Sequence, residues 1–200
     1  HPIGAAVELT EEKPKKRVRV LGEDLLLYRN QNGGYGLVRE RCSHRGASLY
    51  YGFVEADGIR CAYHGWKYDA GGKCVEQPFE NPETGFRDKI RHTAYPVEKL
   101  AGLLFTYLGP PEKKPLLPKW DLLVRSDGIK QIDVCEVLRC NWLQAMENSV
   151  DPTHTYYLHS HTLKLKGSKD YVPFHYQQLN KIEFELVVQP NWAGIQKQRI

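Results

Sequence analysis

Cys42-Ser43-His44 and Cys61-Ala62-Tyr63-His64 decide the reading of this chain. Each motif supplies one thiol and one imidazole, and 16 residues separate His44 from Cys61. Two Cys and two His can hold a [2Fe–2S] cluster asymmetrically. The thiolates then take one iron and the imidazoles the other, which raises the reduction potential above that of an all-Cys cluster. Glycine follows each His closely, as Gly46 and Gly65. A glycine lets the backbone come near a cluster, so that its N–H groups reach the sulfurs. Trp66 follows directly and is placed to shield the site from water. The rival for this donor set is zinc. A zinc finger usually pairs its two Cys in one knuckle and its two His on a helix, whereas each half-site here mixes the two.

A second constellation runs Glu147-Asn148-Ser149-Val150-Asp151-Pro152-Thr153-His154-Thr155-Tyr156-Tyr157-Leu158-His159. The preceding residues 141–148 (NWLQAMEN) are compatible with a helix. On a helix Asp151 and His154, three apart, share a face. His154 and His159 are five apart, about 140° round an ideal helix. Both can face one metal only if the helix is distorted, and Pro152 supplies a cause. His161, seven after His154, is the rival partner on an undistorted helix. Two His with one carboxylate make the facial triad of non-haem Fe(II) oxygenases. Taken alone, the pattern reads more readily as a solvated or hydrogen-bonded helix end than as a metal site.

The two constellations together are more specific. C-x-H, a spacer and C-x-x-H, followed about 90 residues later by D-x-x-H-x-x-x-x-H, resemble the oxygenase (large) subunit of Rieske non-haem iron oxygenases. The resemblance covers nearly the whole chain. It implies that Cys42, His44, Cys61 and His64 bind a Rieske [2Fe–2S] cluster, and that His154 and His159 are two ligands of a mononuclear Fe(II). It makes Asp151 a bridge for electron transfer between subunits, linking a cluster His of one subunit to an iron-bound His of its neighbour. The E-N-x-x-D spacing from Glu147 to Asp151 and the phrase RCAYHGWKYDAGGKC look like the phthalate-dioxygenase and aromatic O-demethylase branch. The third iron ligand of that family lies well over a hundred residues beyond the second His. After His159 the only carboxylates are Asp170, Glu183 and Glu185. None is assigned as a ligand, and the chain is read as stopping short of the family's full length.

The first 110 residues are punctuated by Asn32-Gly33-Gly34, Asp57-Gly58 and Ala70-Gly71-Gly72, with short apolar runs such as Leu25–Tyr28, Tyr35–Val38 and Leu103–Tyr107 between them. That pattern predicts an all-β domain. Residues 109–118 form a Pro-rich linker. Beyond it, strands over 129–138 and 182–189 flank the helix carrying the second motif. The expected fold is α+β: an all-β Rieske domain over residues 1–110, then an incomplete helix-grip catalytic domain over 111–200. No internal repeat stands out. At 41% hydrophobic residues there is material for cores, and no apolar run of membrane-spanning length occurs. Five Cys leave Cys74, Cys135 and Cys140 after the motif pair. Cys135 and Cys140 are expected as buried free thiols in a reducing cytoplasm, and Cys74 as a structural residue, not a spare ligand.

The net charge is +4. Lys13-Pro14-Lys15-Lys16-Arg17 runs into Val18-Arg19-Val20, which alternates like a strand and reads as a charged sheet edge. Arg39, Arg41, Arg45, Arg60 and Lys67 crowd the first motif pair against Glu40, Glu55 and Asp57. That bias suits an acidic ferredoxin or reductase as electron donor. The resemblance implies an enzyme that uses O₂ and reductase-supplied electrons to hydroxylate or O-demethylate an aromatic acid, assembled as a homotrimer or a stack of two. The runner-up reading is a Rieske electron carrier without oxygenase activity.

Overall fold

The structure is a computed structural model describing residues 1–133, 137–151, 154, 158, 159, 184–189 and 194–199. It divides into two compact units, His1–Cys135 and Glu136–Ile200.

The first unit runs through β1 (Pro2–Ala5), β2 (Lys15–Val20), β3 (Glu23–Arg29), β4 (Tyr35–Arg39), β5 (Phe53–Val54), β6 (Gly58–Arg60), β7 (Lys67–Asp69), β8 (Cys74–Glu76), β9 (Ala94–Tyr95), β10 (Val97–Leu100) and β11 (Leu103–Thr106). Two short helices, α1 (Phe86–Lys89) and α2 (Asp121–Val124), complete it. The strands form three antiparallel sheets ordered β1-β11-β10, β2-β3-β4-β9 and β5-β6-β7-β8. The first hundred residues are therefore β structure, as their turn signals predict. The basic run lies on β2, an edge strand. Its turn to β3 is the pair Leu21-Gly22, both at positive φ, the geometry whose twist suits a two-residue hairpin.

β3 decides where the cores sit. Leu25, Leu26, Leu27 and Tyr28 are all buried, although successive side chains of a strand point to opposite faces. Leu25 and Leu27 join Ile3, Leu9, Leu37 and Leu104 in one core. Leu26 and Tyr28 join Val38, Leu49, Ile59, Trp66 and Tyr68 in the other, which also contains Cys42, Cys61 and Cys74. A continuous apolar run thus serves two cores, each full burial of a Leu contributing about 2 kcal/mol.

In the second unit α3 (Trp142–Val150) is capped by Asn141, whose side chain accepts from the Leu143 N–H at 2.9 Å. β12 (Phe184–Gln189) pairs antiparallel with β13 (Gly194–Arg199). Two expectations fail here. The described residues of 129–138 form no strand. Cys140, which follows them, is exposed instead of buried, and no described residue beside it is in a strand. Cys135, Asp170, Glu183 and His161 lie outside the described residues. Among the described residues no helix is long and apolar enough to cross a membrane.

Candidate metal-cluster site

The two Cys–His motifs occupy two loops with the same hydrogen-bonding plan. The Cys42 N–H donates to the Ala47 carbonyl at 2.9 Å, and the Gly46 N–H donates back to the Cys42 carbonyl at 2.9 Å. In the second loop the Cys61 N–H donates to Trp66 O at 2.8 Å and the Gly65 N–H to Cys61 O at 3.0 Å. Arg41 and Ser48 close the first loop as an isolated bridge, and the pair Arg60 and Lys67 closes the second at the tip of the β6–β7 hairpin. Gly46 and Gly65 stand at φ +71° and +73°, a conformation that L side chains rarely adopt. Arg41 Nη1 donates to Gly46 O at 3.4 Å, and Arg60 Nη1 to Gly65 O at 2.9 Å. The difference between C-x-H and C-x-x-H is therefore only which position of one shared loop shape carries the imidazole. This local repeat escapes a motif reading, yet its signal is present: Arg-Cys, three residues, then Gly, in both loops.

The loops sort their four donors by type. Cys42 and Cys61 are 4% and 3% exposed and belong to the core. The His44 and His64 rings lie outside them, half-buried, with centroids 4.6 Å apart. Trp66 stacks on His44 at 4.5 Å and 8°, so a side chain of the second loop fixes an imidazole of the first and covers it. The Tyr68 hydroxyl stands 3.2 Å from Cys42 Sγ. Among the described residues no three His, Cys, Asp or Glu surround a single ion position. The donors form a thiol pair and an imidazole pair instead.

The electrostatics suit a group that brings its own positive charge. Burial pushes the Cys42 thiol above its ordinary value, against hydrogen bonds from Tyr68 and the His44 N–H. A bound metal removes that proton outright. Burial, followed by the neighbouring His64, pushes His44 down and keeps it neutral, the form that ligates. His44 Nδ1 is buried with no hydrogen-bond partner among the described residues. An orphaned buried nitrogen is costly unless something else uses its lone pair. The residues therefore fit a [2Fe–2S] group. Cys74, fully buried and likewise pushed up by burial, has the surroundings of an inert structural thiol.

Arg60 and Lys67 carry little of the expected outward charge. Arg60 forks onto Glu55 at 2.5 and 3.1 Å and reaches Glu76 at 2.7 Å. Lys67, 7% exposed, meets Glu55 at 2.8 Å, Asp57 at 2.5 Å and Glu76 at 3.5 Å. These two cations brace the base of the second loop. Their pairing holds the Glu55 carboxyl down at about 2, Arg60 being the larger cause.

In the second unit the expected helical spacing is replaced by a break. α3 ends at Val150, and Asp151 is extended at φ −78°, ψ 115°, as a residue before proline prefers. Asp151 is not on a shared helical face with His154. Its Oδ2 instead meets His154 Nδ1 at 3.1 Å and the His154 N–H at 3.4 Å. An ionised carboxylate only accepts, so Nδ1 carries a proton. Leu158 and His159 lie in a π-helical turn. The His154 and His159 ring centroids are 5.4 Å apart.

Comparison with known proteins agrees with this geometry. Residues 1–100 match the Rieske [2Fe-2S] domain, and the chain belongs to that family. The curated proteins it resembles include oxygenase subunits of an aromatic O-demethylase and a phenoxybenzoate dioxygenase. It is 50% identical over 171 residues to the 5,5'-dehydrodivanillate O-demethylase oxygenase subunit of Sphingobium sp. (strain NBRC 103272 / SYK-6), covering 84% of this chain and 40% of that one. It is 40% identical over 203 residues to phenoxybenzoate dioxygenase subunit alpha of Ectopseudomonas oleovorans, covering 93% and 47%. A solved complex of a variant carbazole 1,9a-dioxygenase oxygenase with its ferredoxin matches at TM-score 0.67 and 29% identity, over 83% of this chain and 43% of that one. The chain spans less than half the length of these relatives.

Proposed function

We propose that this chain is part of the oxygenase component of a multicomponent Rieske system acting on an aromatic acid. In this reading Cys42 and Cys61 hold one iron of a [2Fe–2S] cluster, and His44 and His64 the other. Residues 1–110 form the cluster domain, and residues 111–200 begin the catalytic domain. There His154 and His159 are two ligands of a mononuclear iron. When bound, the cluster supplies one-electron transfer and the iron supplies O₂ chemistry. The chain's own contribution is positioning. Trp66 covers His44, Tyr68 offers a hydrogen bond to Cys42, and Asp151 orients His154.

Asp151 is the bridge in this account. A carboxylate with two oxygens can serve two imidazoles at once, one being His154 and the other a cluster His of a second subunit. That requires a closed head-to-tail ring, so the assembly is a homotrimer or a stack of two. Electrons come from a ferredoxin or reductase, and the system works in the cytoplasm. The similarity to an O-demethylase subunit favours oxidative O-demethylation over ring hydroxylation. The observation that carries the proposal is the pair of matched loops, which bury two thiols and leave a buried His44 Nδ1 without a partner among the described residues. The experiment is turnover of a methoxylated aromatic acid with an added ferredoxin and reductase, followed as formaldehyde released per electron pair. Release coupled to O₂ uptake is expected. Reduction of the cluster with neither O₂ uptake nor product would favour the electron-carrier reading.

A further inference from the structure

His92 belongs to neither motif, yet every polar atom of its ring and its backbone N–H is engaged. The residue is 4% exposed. Nε2 lies 2.8 Å from the Arg39 carbonyl oxygen, which can only accept, so Nε2 carries the proton. Burial keeps the imidazole neutral. Nδ1 is then an acceptor, and the Ser43 hydroxyl donates to it at 2.8 Å. The His92 N–H donates to the Gly72 carbonyl at 2.7 Å. A Cβ on Gly72 would meet the His92 carbonyl oxygen at 2.0 Å, so that approach requires glycine. One face of the ring stacks on Tyr68 at 4.4 Å and 25°. Tyr68 in turn places its hydroxyl 3.2 Å from Cys42 Sγ. One imidazole therefore grips Cys42 from two directions, through its neighbour Ser43 and through the phenol that reaches its sulfur.

We propose that His92 is a positioning residue for the cluster, raising its reduction potential by holding the Tyr68 hydroxyl on Cys42 Sγ and tying the Cys42–His44 loop to β4. This rests on the cluster assignment made above. A hydrogen bond to a cluster sulfur favours the reduced, more negative state, so loosening Tyr68 lowers the potential.

The test is a redox titration of the cluster-loaded protein, followed by EPR, for His92→Phe alone and in a Tyr68→Phe background. His92→Phe keeps an aromatic ring of similar size and removes both ring hydrogen bonds. The single variant is expected to lower the reduced-to-oxidised ratio at fixed potential three- to tenfold, tenfold being about 59 mV for one electron. In the Tyr68→Phe background the same change is expected to shift the ratio by a smaller factor, because the Tyr68 route is already gone and only the route through Ser43 remains. His92→Gln, which restores a donor to Arg39 O, is expected to fall between wild type and His92→Phe, and it is read by the same cycle if His92→Phe takes up no cluster. An unchanged potential, or an equal shift in both backgrounds, overturns the proposal. Failure of both variants to take up cluster overturns it too, since His92 would then serve folding alone. A wild-type protein that binds no iron–sulfur cluster would instead overturn the reading on which the proposal rests.

Discussion

Lys67→Met offers the sharpest test of how the second loop is held. The change keeps most of the apolar stem and removes the ammonium that three carboxylates share: Glu55, Asp57 and Glu76. Arg60 is then left to satisfy Glu55 and Glu76 while bracing Gly65 O. Lowering Glu55 from 4.5 to about 2 corresponds to roughly 3 kcal/mol at 1.36 kcal/mol per pH unit. Glu55 is 30% exposed, so solvent screening reduces this to about 1–2 kcal/mol. Arg60 is the larger cause and Lys67 the second. Removing one partner also leaves carboxylates crowded together, a cost that replacing a whole ion pair avoids. The expected loss at pH 7 is about 1–2 kcal/mol, a fall in Tm of about 3–6 °C for a chain of this size. Because the folded Glu55 pKa lies below the unfolded one, its stabilisation is complete above about pH 4.5 and is lost as pH falls towards 2. Urea unfolding at pH 7 and pH 3 should therefore show a smaller gap between wild type and Lys67→Met at the lower pH. A variant as stable as wild type at pH 7, or a gap that widens in acid, would refute the reasoning.

Cys61→Ser should abolish the visible colour and the cluster EPR signal. Cys74→Ser should keep both and cost about 1–2 kcal/mol of stability, because it places a hydroxyl at a fully buried site. His154→Ala or His159→Ala should remove mononuclear iron, measured by metal analysis, and leave the cluster signal intact. Loss of iron in His161→Ala but not in His159→Ala would show that His161, not His159, completes the ligand pair. Asp151→Asn should retain both metals yet slow reoxidation of the reduced cluster by about 10- to 100-fold in single-turnover stopped flow. Full speed in that variant, or in a strictly monomeric protein, would rule out the bridge between subunits.

The cluster loops were legible because their chemistry is local. A few residues fix the donors, and the glycines fix the backbone at positive φ. The strands of the first hundred residues were legible for the same reason, since short apolar runs between turn signals admit few other readings. What sequence missed is non-local. His92 lies 49 residues from Ser43 and 53 from Arg39, and its role exists only once β4, the first loop and Gly72 are folded together. The strand expected over 129–138 rested on apolar content, which marks burial but does not supply a pairing partner. Asp151 and His154 were expected three apart on one helix. The preference imposed by Pro152 ends the helix first, and the contact forms by a capping geometry instead. The reading of Arg60 and Lys67 as outward charge failed because spacing does not reveal which acids fold back onto them.

The central claim is that two thiols and two imidazoles share a two-iron cluster, and iron–sulfide analysis with EPR of the reduced protein tests it most directly. The account predicts two irons and two inorganic sulfides per chain assigned to the loops, with a Rieske-type signal of low average g that disappears in Cys61→Ser. A single tetrahedral zinc with no sulfide would contradict it.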